Sequence, residues 1–193
     1  DDLLICAAKE SCLDAIHNHL VDKFKEVKST KGKVHSFLGL SLDFQTEGEV
    51  SLHMEGYIRE MLKCYNVTRK AKTPARNDLF TMDDDSPLLD EEDKAAYYSA
   101  TYKLLYVGKR TRPEILLAVN FLTTRARSPT VQDRGKLYRV LEYLNSDPAL
   151  PMILRVGDEF QLYTFADASH AIHRDMKGHN GVIIQLGDAS VFH

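Results

Sequence analysis

The chain has 193 residues and a net charge of −3, with 44% apolar residues, 27% charged residues and no tryptophan. That is the profile of an ordinary globular protein with enough chain for one or two compact domains. No apolar run approaches the ~18 residues needed to span a membrane as a helix, and no signal peptide is visible. The three cysteines, Cys6, Cys12 and Cys64, lack metal-ligand spacing and read as ordinary thiols in a reducing compartment.

In chain order, residues 1–7 (DDLLICA) read as a turn leading into a short apolar strand. Residues 11–24 follow as an amphipathic helix with Leu13, Ile16, Leu20 and Phe24 on one face. A polar loop over 28–33 precedes 34–44, where apolar and polar residues alternate as in a strand. A turn at 47–49 brings 50–54 back against it, completing a β-hairpin. Residues 55–65 read as a second amphipathic helix carrying Tyr57, Ile58, Met61 and Leu62.

Residues 66–93 form a long connector without periodicity. Its second half, 78–93, holds eight acids and no lysine or arginine. It reads either as a solvated, mobile loop or as a shield for the basic segment that follows, and the mobile loop is the expectation.

That basic segment, 103–139, carries nine Lys or Arg against two acids, a net of +7 inside an acidic chain. Such segregation is compatible with a polyanion partner, nucleic acid above all, and equally with solvated helix faces. Tyr98, Tyr102, Leu105 and Tyr106 stripe one helix. Pro113 opens a second, with Ile115, Leu116, Ala118, Val119 and Leu122 as its apolar face. Ser128-Pro129 breaks it, and Thr130 with Asp133 gives a capping-box signal for a third, in which Leu137, Val140, Leu141 and Leu144 recur at helical spacing. Three helices with apolar faces inward and basic faces outward are expected.

Beyond 145–148 the period becomes alternating, and 152–156, 161–166, 181–186 and 189–192 read as strands. Turns are expected at Gly157-Asp158 and Gly187-Asp188. The change near Pro148 and Pro151 is the best domain boundary in the sequence. His170, His173, His179 and His193 crowd this end but lack Cys or acidic partners at zinc spacing.

Several motifs recur in one order. The run from Tyr102 to Val119 resembles the "LLY…TRPDI…AV" signature of Ty1/copia-type reverse transcriptases. Ser128-Pro129-Thr130 and the segment 139–144 resemble the "PT…VLRYL" element of the same family. Asp1-Asp2 with Leu3, Leu4 and Ile5 is similar to the latter half of its "YVDD" motif, without the preceding aromatic pair. Phe37-Leu38-Gly39 resembles its primer-grip "FLG". Leu52 with Tyr57-Ile58 resembles the continuation, His53-Met54 departing from it. Phe165 to Ser169 resembles the first strand of a ribonuclease H domain, and the residues 173–181 its following loop, with Gly178 and Asn180 as departures.

The resemblance implies an α+β fold: the end of a polymerase palm with its β-hairpin (1–65), an acidic linker and helical thumb or connection region (66–148), and antiparallel strands opening a ribonuclease H-like domain (149–193). It implies Asp1, Asp2 and Asp167 as catalytic, metal-binding carboxylates for Mg²⁺ or Mn²⁺ in the intact parent. It implies primer positioning by Phe37, Leu38 and Gly39, and phosphate contacts by Lys109, Arg110, Arg112, Arg125, Arg127, Arg134 and Lys136. The partners would be an RNA/DNA primer–template or hybrid and, in the parent, deoxynucleotides, with no membrane. The setting would be intracellular, in the cytoplasm within a virus-like particle or in the nucleus. The start at Asp1-Asp2 reads as a cut through a larger polypeptide, and the fragment alone is expected to be inactive. The alternative is a non-catalytic nucleic-acid-binding remnant or domesticated module.

Overall fold

A computed structural model describes residues 2–155, 157, 161–172, 176 and 178–193. The elements in order are α1 (Glu10–Phe24), β1 (Val34–Phe37), β2 (Leu40–Asp43), β3 (Glu49–His53), α2 (Glu55–Cys64), α3 (Glu91–Gly108), a 3-10 turn (Pro113–Ile115), α4 (Leu116–Arg125), α5 (Val131–Leu144), β4 (Met152–Arg155), β5 (Leu162–Ala168), β6 (Asn180–Leu186) and β7 (Ala189–Phe192). Two antiparallel sheets flank a helical body, an α+β architecture; their strand orders are β1-β2-β3-β4 and β5-β6-β7.

The core is helical. Ile58, Met61 and Leu62 of α2, Leu104 and Val107 of α3, Val119 and Leu122 of α4, and Val140, Leu141 and Leu144 of α5 are all buried in one cluster. The capping box forms as expected: the Thr130 hydroxyl accepts from the Asp133 N–H, and the Asp133 carboxylate accepts from the Thr130 N–H. Gly108 is needed where α3 meets the next turn, because a Cβ there would stand 2.7 Å from Leu116 Cδ2. Tyr97 donates its buried hydroxyl to the Leu122 carbonyl at 2.9 Å, filling an acceptor of the last turn of α4.

Four expectations need correction. Residues 2–7 form no strand, and no strand among the described residues pairs with them; an apolar run makes a strand only where a ladder partner takes up its N–H and C=O groups. Residues 34–44 are not one strand but the hairpin β1–β2, closed by the pair Phe37↔Leu40 around Leu38 and Gly39. Both turn residues have positive φ, 50° and 77°, the signature of the mirror-image turns that match strand twist. Strand β4 pairs with β3, not with the later strands, so the contacts cross the expected boundary at 148 and β4 completes the sheet of the first segment.

The fourth correction concerns the connector, several of whose apolar residues pack against the helices while most of its acids stay exposed. Ala71, Leu79 and Leu89 are buried. The Ala71 N–H donates to Glu142 O and that of Leu89 to Pro129 O, while Pro87 O accepts from Val131 N–H. Asp90 caps α3 by accepting from the Asp93 N–H.

Candidate nucleic-acid interface

The helical register of α3 creates two stripes. Tyr97, Ala100, Thr101, Leu104, Val107 and Gly108 face the core. Their small members let α4 and α5 approach closely. The tyrosines expected inside lie on the other stripe: Tyr98 is 53% and Tyr102 42% exposed, with ring centroids 4.5 Å apart. Their hydroxyls reach water there, which an inward position would deny them.

One helical turn on, Tyr106 sits at the junction of helix and hairpin. Its hydroxyl donates to the Leu38 carbonyl at 2.6 Å, pinning the tip of the β1–β2 hairpin to α3. Its ring meets Tyr57 at 5.5 Å, and the Arg110 guanidinium lies 3.7 Å from its centroid. The Lys103 ammonium lies 5.5 Å over the Tyr65 ring. Burial pushes the Tyr57 phenol above its usual range, with Lys103 pulling the other way. Tyr98 and Tyr102 thus present exposed rings, beside half-buried Tyr57, Tyr65 and Tyr106, over two of which lie Lys103 and Arg110. Rings and guanidinium planes offer stacking to bases and sugars, and the cations offer attraction to phosphate.

The basic residues divide into two groups. Lys109 and Arg127 are exposed and have no ion pair among the described residues, and Arg110 stacks as above. The rest of the expected phosphate contacts are engaged inside the protein. Arg112 is only 1% exposed; its Nε donates to Glu114 Oε1 at 2.6 Å and its Nη1 to Asp147 O at 2.8 Å. It therefore clasps the loop after α5 to the start of the 3-10 turn and is not a phosphate contact. Arg125 donates to Asp133, itself 1% exposed, at 3.2 Å. Arg134 pairs with Asp93 across α3 and α5. Lys136 donates to Thr81 O at 2.5 Å and lies 5.1 Å over the Phe121 ring. The expected outward basic face of α5 is thus partly covered by the connector, whose main-chain carbonyls do much of the pairing. Carbonyl acceptors leave no mark in a sequence.

Phe37, Leu38 and Gly39 come together at the hairpin tip beside α3, Gly39 approaching Met54 and Tyr57. The expected carboxylates do not come together. Asp1 lies outside the described residues, as do His173, Arg174, Asp175 and Lys177 of the expected loop. Asp2 is exposed on a segment without regular structure. Asp167 is the penultimate residue of β5, paired with Gly181 and exposed. Among the described residues no group of three or more His, Cys, Asp or Glu side chains is placed to hold a metal ion. The described carboxylates therefore do not fit a Mg²⁺ or Mn²⁺ site. Among the described residues no helix is long and apolar enough to cross a membrane.

Compared with known proteins, the chain is similar along nearly its whole length to transposon proteins. It is 29% identical over 188 residues to a transposon Ty5-1 protein of Saccharomyces cerevisiae, covering 96% of this chain and 60% of that one. It is 29% identical over 191 residues to the retrovirus-related Pol polyprotein from transposon RE1 of Arabidopsis thaliana, and 28% over 193 residues to that from transposon RE2. In each plant relative it spans 13% of the polyprotein and 97% of itself. No family model matches the chain. No solved structure matches it either. The resemblance drawn from motif order is thus a similarity to retrotransposon Pol polyproteins that extends across nearly the entire chain.

Proposed function

We propose that this chain is the duplex-holding part of a retrotransposon reverse transcriptase, an RNA-directed DNA polymerase, and that its partner is a primer–template. The observation that carries the reading is the bond from the Tyr106 hydroxyl to the Leu38 carbonyl. It joins a hairpin tip to a helix bearing exposed tyrosines, the two segments that resemble a primer grip and thumb, and this supports the reading. In this reading Tyr98, Tyr102 and Tyr106 lie against sugars and bases, while Lys103, Lys109 and Arg110 neutralise phosphates. Nothing in the surface selects a base edge, so binding is independent of sequence and falls with salt.

In this reading the tyrosines and cations of the surface bind and orient the duplex. Metal ions and deoxynucleotides would belong to the complete polymerase. The lack of converging carboxylates among the described residues favours a second reading, a non-catalytic nucleic-acid-binding module. Both predict that the purified chain binds an RNA/DNA hybrid and that Tyr102→Ala with Arg110→Ala weakens it about tenfold or more. Stacking is worth roughly 1–3 kcal/mol per base. Fluorescence anisotropy on a labelled hybrid reads this. Absence of binding by the unmodified chain would overturn both. The two readings part on primer extension by a version lengthened to include the remaining polymerase segments: incorporation supports the enzyme, and its absence with binding intact supports the module.

A further inference from the structure

The side of α5 away from α3 borders a groove of about 610 Å³ between that helix and the first part of the connector. Arg69, Arg76, Lys136 and Arg139 line it, with Asp78 and Glu142 as the carboxylates. Residues 61–77 hold five Lys or Arg and no acid. Within them Arg69, Lys70, Lys72 and Arg76 are exposed and form no ion pair among the described residues. A run of like charges normally relaxes by extending into solvent. Here the backbone holds it in place: Asn145 Nδ2 donates to Arg69 O at 2.9 Å, and the Ser146 hydroxyl donates to Ala71 O at 2.7 Å. Arg139 completes the clasp, Nε donating to Thr73 O at 2.9 Å and Nη2 to Thr73 Oγ1 at 3.0 Å. The repulsion among these cations is therefore offset only by Asp78 and Glu142 in the same groove, neither of which forms an ion pair with Arg69 or Arg76 among the described residues.

We propose that this groove is a second phosphate-binding site, taking the sugar–phosphate backbone of a nucleic-acid strand through Arg69 and Arg76, with Lys70 and Lys72 at its rim. Guanidinium forks match phosphate oxygens in two-point geometry. The groove is distinct from the tyrosine surface. The Tyr138 side chain stands between them, its hydroxyl 3.4 Å from Tyr65 O. One strand held at both surfaces would pass over α5. The inference rests on the reading that the partner is a nucleic acid.

The test is binding of a labelled single-stranded oligonucleotide across a salt series, with the full chain and Arg69→Glu/Arg76→Glu. Both side chains are exposed, so an unchanged thermal melt is expected to show that the variant folds. The expected result is a loss of affinity of tenfold or more. The slope of log affinity against log salt should flatten by about 1.4, the share of two phosphates on a single strand. Arg69→Lys/Arg76→Lys should restore the slope and only part of the affinity. Wild-type binding with an unchanged double Glu variant would overturn the groove alone and leave the tyrosine surface standing. No binding by the wild type would overturn both. A mononucleotide or inorganic phosphate that displaces the strand from the wild type, but not from the double Glu variant, would identify a small phosphate ligand as occupant and overturn the strand.

Discussion

The helical body and the C-terminal sheet solve the same problem differently. In the body, α2 to α5 bury their apolar stripes against one another, and the irregular connector fills the remaining side with Leu79 and Leu89. In the sheet β5-β6-β7, every residue of β5 is exposed, and Leu162, Phe165, Ile183 and Phe192 show large apolar surfaces. The hydrogen-bond ladder is complete from Leu162↔Leu186 to Ala168↔Asn180, yet among the described residues only the second half of β6 and the start of β7 are partly covered. Backbone pairing thus contributes more to the sheet than to the body, which side-chain packing defines. Since net hydrogen bonding contributes modestly and burial contributes most, the body should carry nearly all of the chain's stability.

The sharpest way to break that contrast is at Arg112. Arg112→Ala empties a buried site, leaves Asp147 O without its donor and strips Glu114 of its partner. A loss of about 3 kcal/mol is expected, read as a lower midpoint in a urea melt followed by far-ultraviolet circular dichroism. A change below about 0.5 kcal/mol would mean that Arg112 is a surface cation after all. Gly108→Ala drives a methyl into Leu116 and should cost about 2 kcal/mol in the same melt, more than the usual gain in helix propensity returns. Thr130→Ala removes the N-cap of α5 and should cost about 1 kcal/mol. At the small end, Phe165→Asp in the sheet should shift the melt of the body by less than about 0.5 kcal/mol, because its side chain is already more than half exposed. Hydrogen exchange would sharpen the same comparison: amides of α3 to α5 should be protected longest, and those of β5 should exchange far sooner. Equal protection would show that something covers the sheet.

Much of this body can be read from residue spacing. The period of Leu137, Val140, Leu141 and Leu144, the break at Ser128-Pro129 and the Thr130–Asp133 box all arise from local rules, and each appears where those rules put it. The strands β4 to β7 follow from alternation in the same way. What escapes the sequence depends on partners far along the chain. Alternation over 34–44 runs straight through the β1–β2 turn, and Leu38-Gly39 lacks the asparagine or aspartate that usually flags one. The two stripes of α3 are equally helical. Only Ala100, Thr101 and Gly108 hint that the small-residue side is the packed one. In the candidate interface, a count of positive charges cannot distinguish Arg110, half-buried against the Tyr106 ring, from Arg112 two residues later, which is sealed by a carbonyl 35 residues away.

Leu38 occupies the left-handed region at φ 50°, a conformation that costs a residue with a Cβ roughly 1 kcal/mol. Replacing it with glycine would relax the backbone and keep the carbonyl that Tyr106 grips. It would also multiply the conformations open to the loop when that grip is released. The leucine therefore trades resting energy for a narrower set of loop conformations, and the Tyr106 bond ties that stiff tip to α3.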